Sequence, residues 1–82
     1  MARDTWLYEL KESRKTVYIG ISNDPDRRLA EHERSGKKFT HMNITSVALT
    51  RESAEQREAE KIQKYQRQHG GAPPKHNHKK TY

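Results

Sequence analysis

Two short runs near the start of the chain alternate between apolar and polar positions as strands do. Thr5–Leu10 reads Thr-Trp-Leu-Tyr-Glu-Leu, and Thr16–Ser22 reads Thr-Val-Tyr-Ile-Gly-Ile-Ser. Both are rich in β-branched and aromatic residues, which suit a pleated, half-buried surface. The polar stretch Lys11–Lys15 between them predicts a β-hairpin. With that stretch as the loop, Leu10 faces Thr16, Tyr8 faces Tyr18 and Trp6 faces Gly20, where the missing side chain leaves room for the indole. Val17, Ile19 and Ile21 then share one face of the second strand, while Tyr18, Gly20 and Ser22 share the other.

The period changes after Asn23. Asp24 is a good N-cap and Pro25 suits the first helical position, so a helix is expected from Pro25 to Arg34, closed near Ser35-Gly36. Residues 36–43 are polar and read as loop. A third strand is expected over Ile44–Leu49, followed by a second helix capped by Thr50 or Ser53. Ser53 and Gln56 have capping-box spacing, and the helix should run to Gln68 before Gly70-Gly71. From Ala72 onward the chain reads as irregular. The predicted order is β-β-α-β-α. The fold class is α/β in the broad sense and α+β in detail: a small three-stranded antiparallel sheet flanked by helices.

Composition narrows the function classes. Only 29% of the 82 residues are hydrophobic and 34% are charged, so one small core is expected. No cysteine is present, which excludes a disulfide scaffold, an iron–sulfur cluster and a cysteine-based zinc site. No apolar run approaches a membrane span, and the start carries no signal-peptide stretch. A soluble, cytoplasmic protein without a membrane partner is the expectation. The formal net charge is +6, and it is unevenly placed. Residues 1–60 balance eleven Lys/Arg against eleven Asp/Glu, whereas residues 61–82 hold six basic residues and no acid. That segment favours a polyanion, most simply nucleic acid, or serves only to solubilise the chain.

Helical spacing singles out a few side chains. In the second helix Ala54, Ile62 and Tyr65 form an apolar stripe, and Glu58 lies on it. A carboxylate facing a core needs a cation or donors, and either an arginine or a bound divalent metal meets that need. In the first helix Arg28 and His32 share a face beside Leu29. They form either a phosphate site or a surface pair in which Arg28 bridges to Asp24. Arg27 points elsewhere, as an outer phosphate contact or a solvated charge. Tyr8 and Tyr18 are packing residues or, beside a cation, proton acceptors. His41 reads as a solvent-exposed loop residue, and His76-Asn77-His78 as too few ligands for a metal site. Lys37-Lys38 and Lys79-Lys80 are generic basic pairs.

Together these pieces resemble the GIY-YIG nuclease family, in the style of its small stand-alone members and of the module found in the repair excinuclease. Val17-Tyr18-Ile19-Gly20-Ile21-Ser22 runs into Asn23-Asp24-Pro25-Asp26-Arg27-Arg28-Leu29-Ala30-Glu31-His32, which resembles the family's central YIG-to-histidine block. Ala54, Glu58 and Ile62 resemble its metal-binding helix, and Pro74-Lys75-His76-Asn77 its closing P-x-x-N element. Two departures stand out. Tryptophan replaces the glycine in Trp6-Leu7-Tyr8, and Gln68–Pro73 lengthens the gap before Asn77.

The resemblance implies a nuclease core over residues 1–70 and a basic C-terminal segment over 71–82 that carries the closing element. It implies Tyr8 as general base or holder of the attacking water, and Tyr18 as its support or a contact to the scissile phosphate. Arg28 would stabilise charge on the phosphate, His32 would activate a tyrosine, and Glu58 would anchor one Mg²⁺ or Mn²⁺ ion. Asn77 would shape the site and, with Arg27, Lys37, Lys38, Lys79 and Lys80, would contact substrate. The implied function is a metal-dependent DNA endonuclease of repair, recombination or restriction, leaving 5′-phosphates and working alone or within a larger assembly. The alternative is a non-catalytic nucleic-acid-binding or partner-dependent module on the same fold.

Overall fold

A computed structural model describes residues 3–77. The elements are β1 (Trp6–Glu12), β2 (Lys15–Ser22), α1 (Pro25–Arg34), β3 (His41–Ile44) and α2 (Arg51–Gln68). The sheet is antiparallel with the order β2-β1-β3, so β1 is paired on both sides. The expected order and class hold.

The hairpin register differs from the expectation. The strands run further toward each other, and only Ser13 and Arg14 remain as the turn. Ser13 has φ +59°, a positive value at the first central position as a type II′ turn requires. The register then slips between Leu10 and Lys11, where Val17 is the extra residue on β2. As a result Tyr8 faces Gly20, Leu10 faces Tyr18 and Trp6 faces Ser22. Gly20 therefore makes room for the Tyr8 phenol, not for the indole of Trp6. The bulge also removes Val17 from the Ile19 face and packs it with Tyr8 and Leu10 in the core, where Tyr18, Phe39 and Met42 lie against them.

The third strand is earlier and shorter than expected. It occupies His41–Ile44, inside the segment read as loop, and beyond it only Leu49 returns to the sheet, bridging Thr5. Met42 packs on the core from β3, while Ile44 and Val47 stay exposed.

Both helices begin and end where local chemistry sets them. The Asp24 side chain accepts the Arg27 N–H at 3.2 Å, and Ser22 Oγ accepts the Asp24 N–H at 2.9 Å. Gly36, with φ +83°, follows the Ser35 cap of α1. Thr50, rather than Ser53, caps α2 by accepting the Ser53 N–H. α1 supplies buried His32 to the Tyr8 face of the sheet. α2 covers the opposite face, where Lys61 reaches Glu9 at 2.6 Å. Glu9 is also met by Lys11 and by the Thr16 hydroxyl. Burial opposes charge on its carboxylate, but Lys61, Thr16 and Lys11 outweigh it and hold its pKa below the usual range. Among the described residues no helix is long and apolar enough to cross a membrane.

The end of the described chain is docked. Asn77 accepts the Ile19 N–H at 2.7 Å and donates to the Ile19 carbonyl at 2.9 Å, while the His76 N–H bonds to the Val17 carbonyl at 2.7 Å. Residues 76–77 thus pair with the outer edge of β2, and Pro74 is buried beneath them.

Candidate active site

Alternation on β1 and β2 puts Tyr8, Tyr18 and Gly20 on one face, and the 3.6-residue period of α1 turns Arg28 and His32 toward it. Tyr8 is fully buried, and its hydroxyl lies 2.7 Å from His32 Nε2. The Tyr18 ring meets His32 edge-on with centroids 4.9 Å apart. Tyr8 and Tyr18 centroids are 6.0 Å apart. The Arg28 guanidinium lies against the Tyr8 phenol and donates to Glu31 Oε1 at 2.8 Å. Arg28 therefore pairs with Glu31, not with Asp24, whose side chain is committed to the cap.

A fifth group closes the cluster. Lys37 Nζ stands 5.6 Å from the Tyr18 ring centroid and 3.3 Å from Ser35 Oγ. Phe39 packs edge-on to His32. The space left by the missing side chain of Gly20 is what admits both phenols: a Cβ there would sit 2.7 Å from Tyr18 Cε2 and 2.8 Å from Tyr8 Oη.

The electrostatics follow from burial beside cations. His32 is pushed down to about 4 by burial, then by Lys37 and Arg28, so the imidazole is neutral near pH 7, and in its Nδ1-protonated tautomer Nε2 accepts the Tyr8 O–H. Burial and the neighbouring Tyr18 raise Tyr8 well above the usual phenol range, against the pull of Arg28. Arg28 is held more firmly charged, first by its contact with Tyr8. Tyr8 is thus a neutral phenol hydrogen-bonded to a neutral imidazole.

The other expected residues lie around this centre. Arg27 is exposed and pairs with Glu31 Oε2 at 3.2 Å. Lys38 is exposed, and its carbonyl accepts from His76 Nε2 at 3.3 Å. Asn77 commits both amide atoms to Ile19, so it acts by holding β2. Lys79 and Lys80 lie outside the described residues. His41 is exposed on β3, bonded to Thr40. Glu31 escaped the sequence reading, although its spacing of three and four from Arg28 and Arg27 was a signal that could have found it.

Glu58 comes from α2, not from the helix that carries the other groups. It is half-buried, one turn after fully buried Ala54 and one turn before Ile62, on the stripe α2 turns toward the sheet. Among the described residues no three His, Cys, Asp or Glu side chains group to cage an ion. One carboxylate fits a hard divalent ion that takes its remaining ligands from water and phosphate oxygens.

Residues 4–70 match the family model of the GIY-YIG catalytic domain. No curated protein and no solved structure matches the chain. The matched span reaches from the start of the sheet to the end of α2 and takes in Tyr8, Tyr18, Arg28, His32 and Glu58, so the chain belongs to the GIY-YIG nuclease family.

Proposed function

We propose that this protein is a metal-dependent endonuclease that hydrolyses phosphodiester bonds in DNA. The contact that supports this reading most is the Tyr8 hydroxyl against His32 Nε2 at 2.7 Å, with the Arg28 guanidinium on the same phenol. A buried phenol is a poor phenolate, so Tyr8 serves as a relay. Its oxygen takes a proton from the attacking water while its own proton passes to His32 Nε2. The water oxygen then bonds to phosphorus in line with the departing 3′-oxygen, leaving a 5′-phosphate.

The bound phosphodiester assists this transfer. Burial holds His32 down first, and the phosphodiester's negative charge would offset Lys37 and Arg28, the two cations that add to it, making the imidazole a better base when substrate is present. Arg28 opposes the charge that builds on the phosphoryl oxygens, and Tyr18 stands beside it with its ring edge-on to His32. Glu58, on α2, would hold a single Mg²⁺ or Mn²⁺ ion, whose charge would offset that of the phosphodiester backbone. Arg27, Lys37 and Lys38 form the rim that meets flanking phosphates, and the basic C-terminal segment adds long-range attraction. Repair, recombination or restriction, alone or in a larger assembly, is the setting such an activity would serve.

The test is cutting of plasmid, flap and forked DNA with Mg²⁺ or Mn²⁺ by wild type, Tyr8→Phe and Glu58→Ala. Metal-dependent cutting that both variants lose supports the reading. Equal cutting by Glu58→Ala removes Glu58 and its metal from it. Salt-sensitive binding without cutting on any substrate turns it toward the nucleic-acid-binding module.

A further inference from the structure

We propose that the groove between α2 and the Glu9 face of the sheet binds the backbone and a base of a single-stranded arm, which makes a branched nucleic acid the preferred substrate. The substrate part of this inference rests on the nuclease reading; the groove itself does not. Two hollows of about 280 and 290 Å³ flank α2 on this face, and Lys61 and Lys64 line both. Arg57, Thr45, Ser46 and the acid Glu60 line one of them, and Lys11 and Glu9 line the other, so cations outnumber carboxylates in both. They therefore form one track along the helix.

The charge in this track is available for a ligand. Glu9 occupies Lys61 and Lys11, but Arg57 and Lys64 are exposed and meet no carboxylate within ion-pair distance among the described residues. From Lys61 to His69 the chain carries no acid at all. A row of cations with hydroxyls at one end suits the phosphates of a nucleic-acid strand.

A second, independent feature lies at the other end of the track. The Tyr65 and His69 rings stack with centroids 3.8 Å apart and planes within 8°. The His69 ring is fixed by its Nδ1, 2.8 Å from the Tyr65 carbonyl, and it is exposed. A rigid, parallel aromatic pair beside lysines is the platform on which an unpaired base stacks, and it does so for any base. Duplex DNA offers no free base face along its length, so the platform selects a single-stranded arm.

The track lies on the face opposite the tyrosines, so the strand it holds is not the strand at Tyr8. The shortest dimension of the molecule is 27 Å. At the stacked rise of about 3.4 Å per nucleotide, an arm of about eight nucleotides passes from one face to the other, and an unstacked, extended arm needs fewer.

Fluorescence anisotropy in EDTA tests this without any cutting. The probes are a labelled DNA duplex and the same duplex with a single-stranded arm of about 2 or about 15 nucleotides, below and above the crossing length. The longer arm should tighten wild-type binding about tenfold and the shorter arm should leave it unchanged. Lys64→Glu and His69→Ala should each remove most of that gain while keeping the affinity for plain duplex. The inference is overturned if the longer arm adds nothing, if the shorter arm adds as much, or if the gain survives both substitutions. Loss of the nuclease reading would show differently, as absent cutting with Mg²⁺ while the arm-dependent binding gain persists.

Discussion

Replacing Gly20 by alanine sets two physical effects against each other. A glycine inside a strand loses more backbone freedom on folding than alanine, so backbone entropy favours the variant by about 0.5–1 kcal/mol. Contact distances point the other way. The new Cβ would lie 2.7 Å from Tyr18 Cε2, 2.8 Å from Tyr8 Oη and 2.9 Å from Tyr8 Cζ, against an ordinary 3.4 Å or more. The two rings must therefore retreat by roughly 0.7 Å, the difference between that ordinary contact and the closest approach. Neither has a free path. Tyr8 is fully buried with its hydroxyl against His32, and Tyr18 meets the His32 ring edge-on.

Overpacking of this kind costs about 2 kcal/mol at the middle of its range, which exceeds a mid-range entropic gain of about 0.75 kcal/mol and leaves about 1 kcal/mol of destabilisation. For a domain of this size that is a fall in Tm of ~4–8 °C. Activity should fall much further, because a displacement approaching 1 Å at a reacting group costs about 100-fold in rate. Thermal denaturation followed by circular dichroism, paired with cutting below the lowered Tm, separates the two effects. A Gly20→Ala protein that melts at or above wild type and cuts at the wild-type rate would falsify the claim that Gly20 places the tyrosines.

Three further outcomes follow from contacts elsewhere. His32 binds its proton at about 4 in the folded chain and near its ordinary value when unfolded, so the unfolded state holds more protons between those limits and stability falls as pH drops from about 6.5 to 4. The loss should reach about 3 kcal/mol in urea titrations. It should be missing in His32→Gln, and an equal slope in that variant would reassign it; the lowered Glu9 and Glu31 titrate below 4.5. Lys61→Met leaves the buried Glu9 carboxylate with Lys11 and Thr16 only, and should cost about 1–3 kcal/mol of unfolding free energy; no change in the urea midpoint would show that Glu9 is satisfied without it. Asn77→Ala strips two hydrogen bonds from Ile19 and should destabilise by about 1–3 kcal/mol, with light scattering rising as the β2 edge opens; wild-type behaviour in both assays would show that the edge needs no cover.

Features set by neighbouring residues were legible in the sequence, and those set by distant ones were not. Asp24 with Pro25 placed the start of α1, and Thr50 and Gly70 framed α2, because a cap is decided within four residues. The Arg28–His32 face and the inward Glu58 followed from helical spacing for the same reason. The hairpin misled because its turn uses Ser13 at a positive φ where glycine is the usual signal, and because the bulge at Val17 leaves no local trace. β3 was misplaced for a different reason. It is an edge strand with one inward side chain, Met42, so His41 and Asn43 read as loop while exposed Ile44 and Val47 read as strand. The Tyr8–His32 contact spans 24 residues of sequence, and only the family resemblance anticipated it.

The tyrosine cluster also has an order of assembly written into it. Tyr8, Tyr18, Gly20, Arg28 and His32 all belong to one hairpin and the helix that follows it, so the contacts between them close shorter loops than the one that brings α2 to Glu9. Such contacts form early, since little chain entropy is lost in making them. Glu58 arrives on a helix that must dock from further along the chain, and the edge of β2 is covered last by residues 76–77. A chain emerging from synthesis therefore brings its tyrosine cluster together first and gains the Glu58 carboxylate only when α2 settles. The order of the elements along the chain keeps the half-made protein from holding every part of its proposed cutting machinery at once.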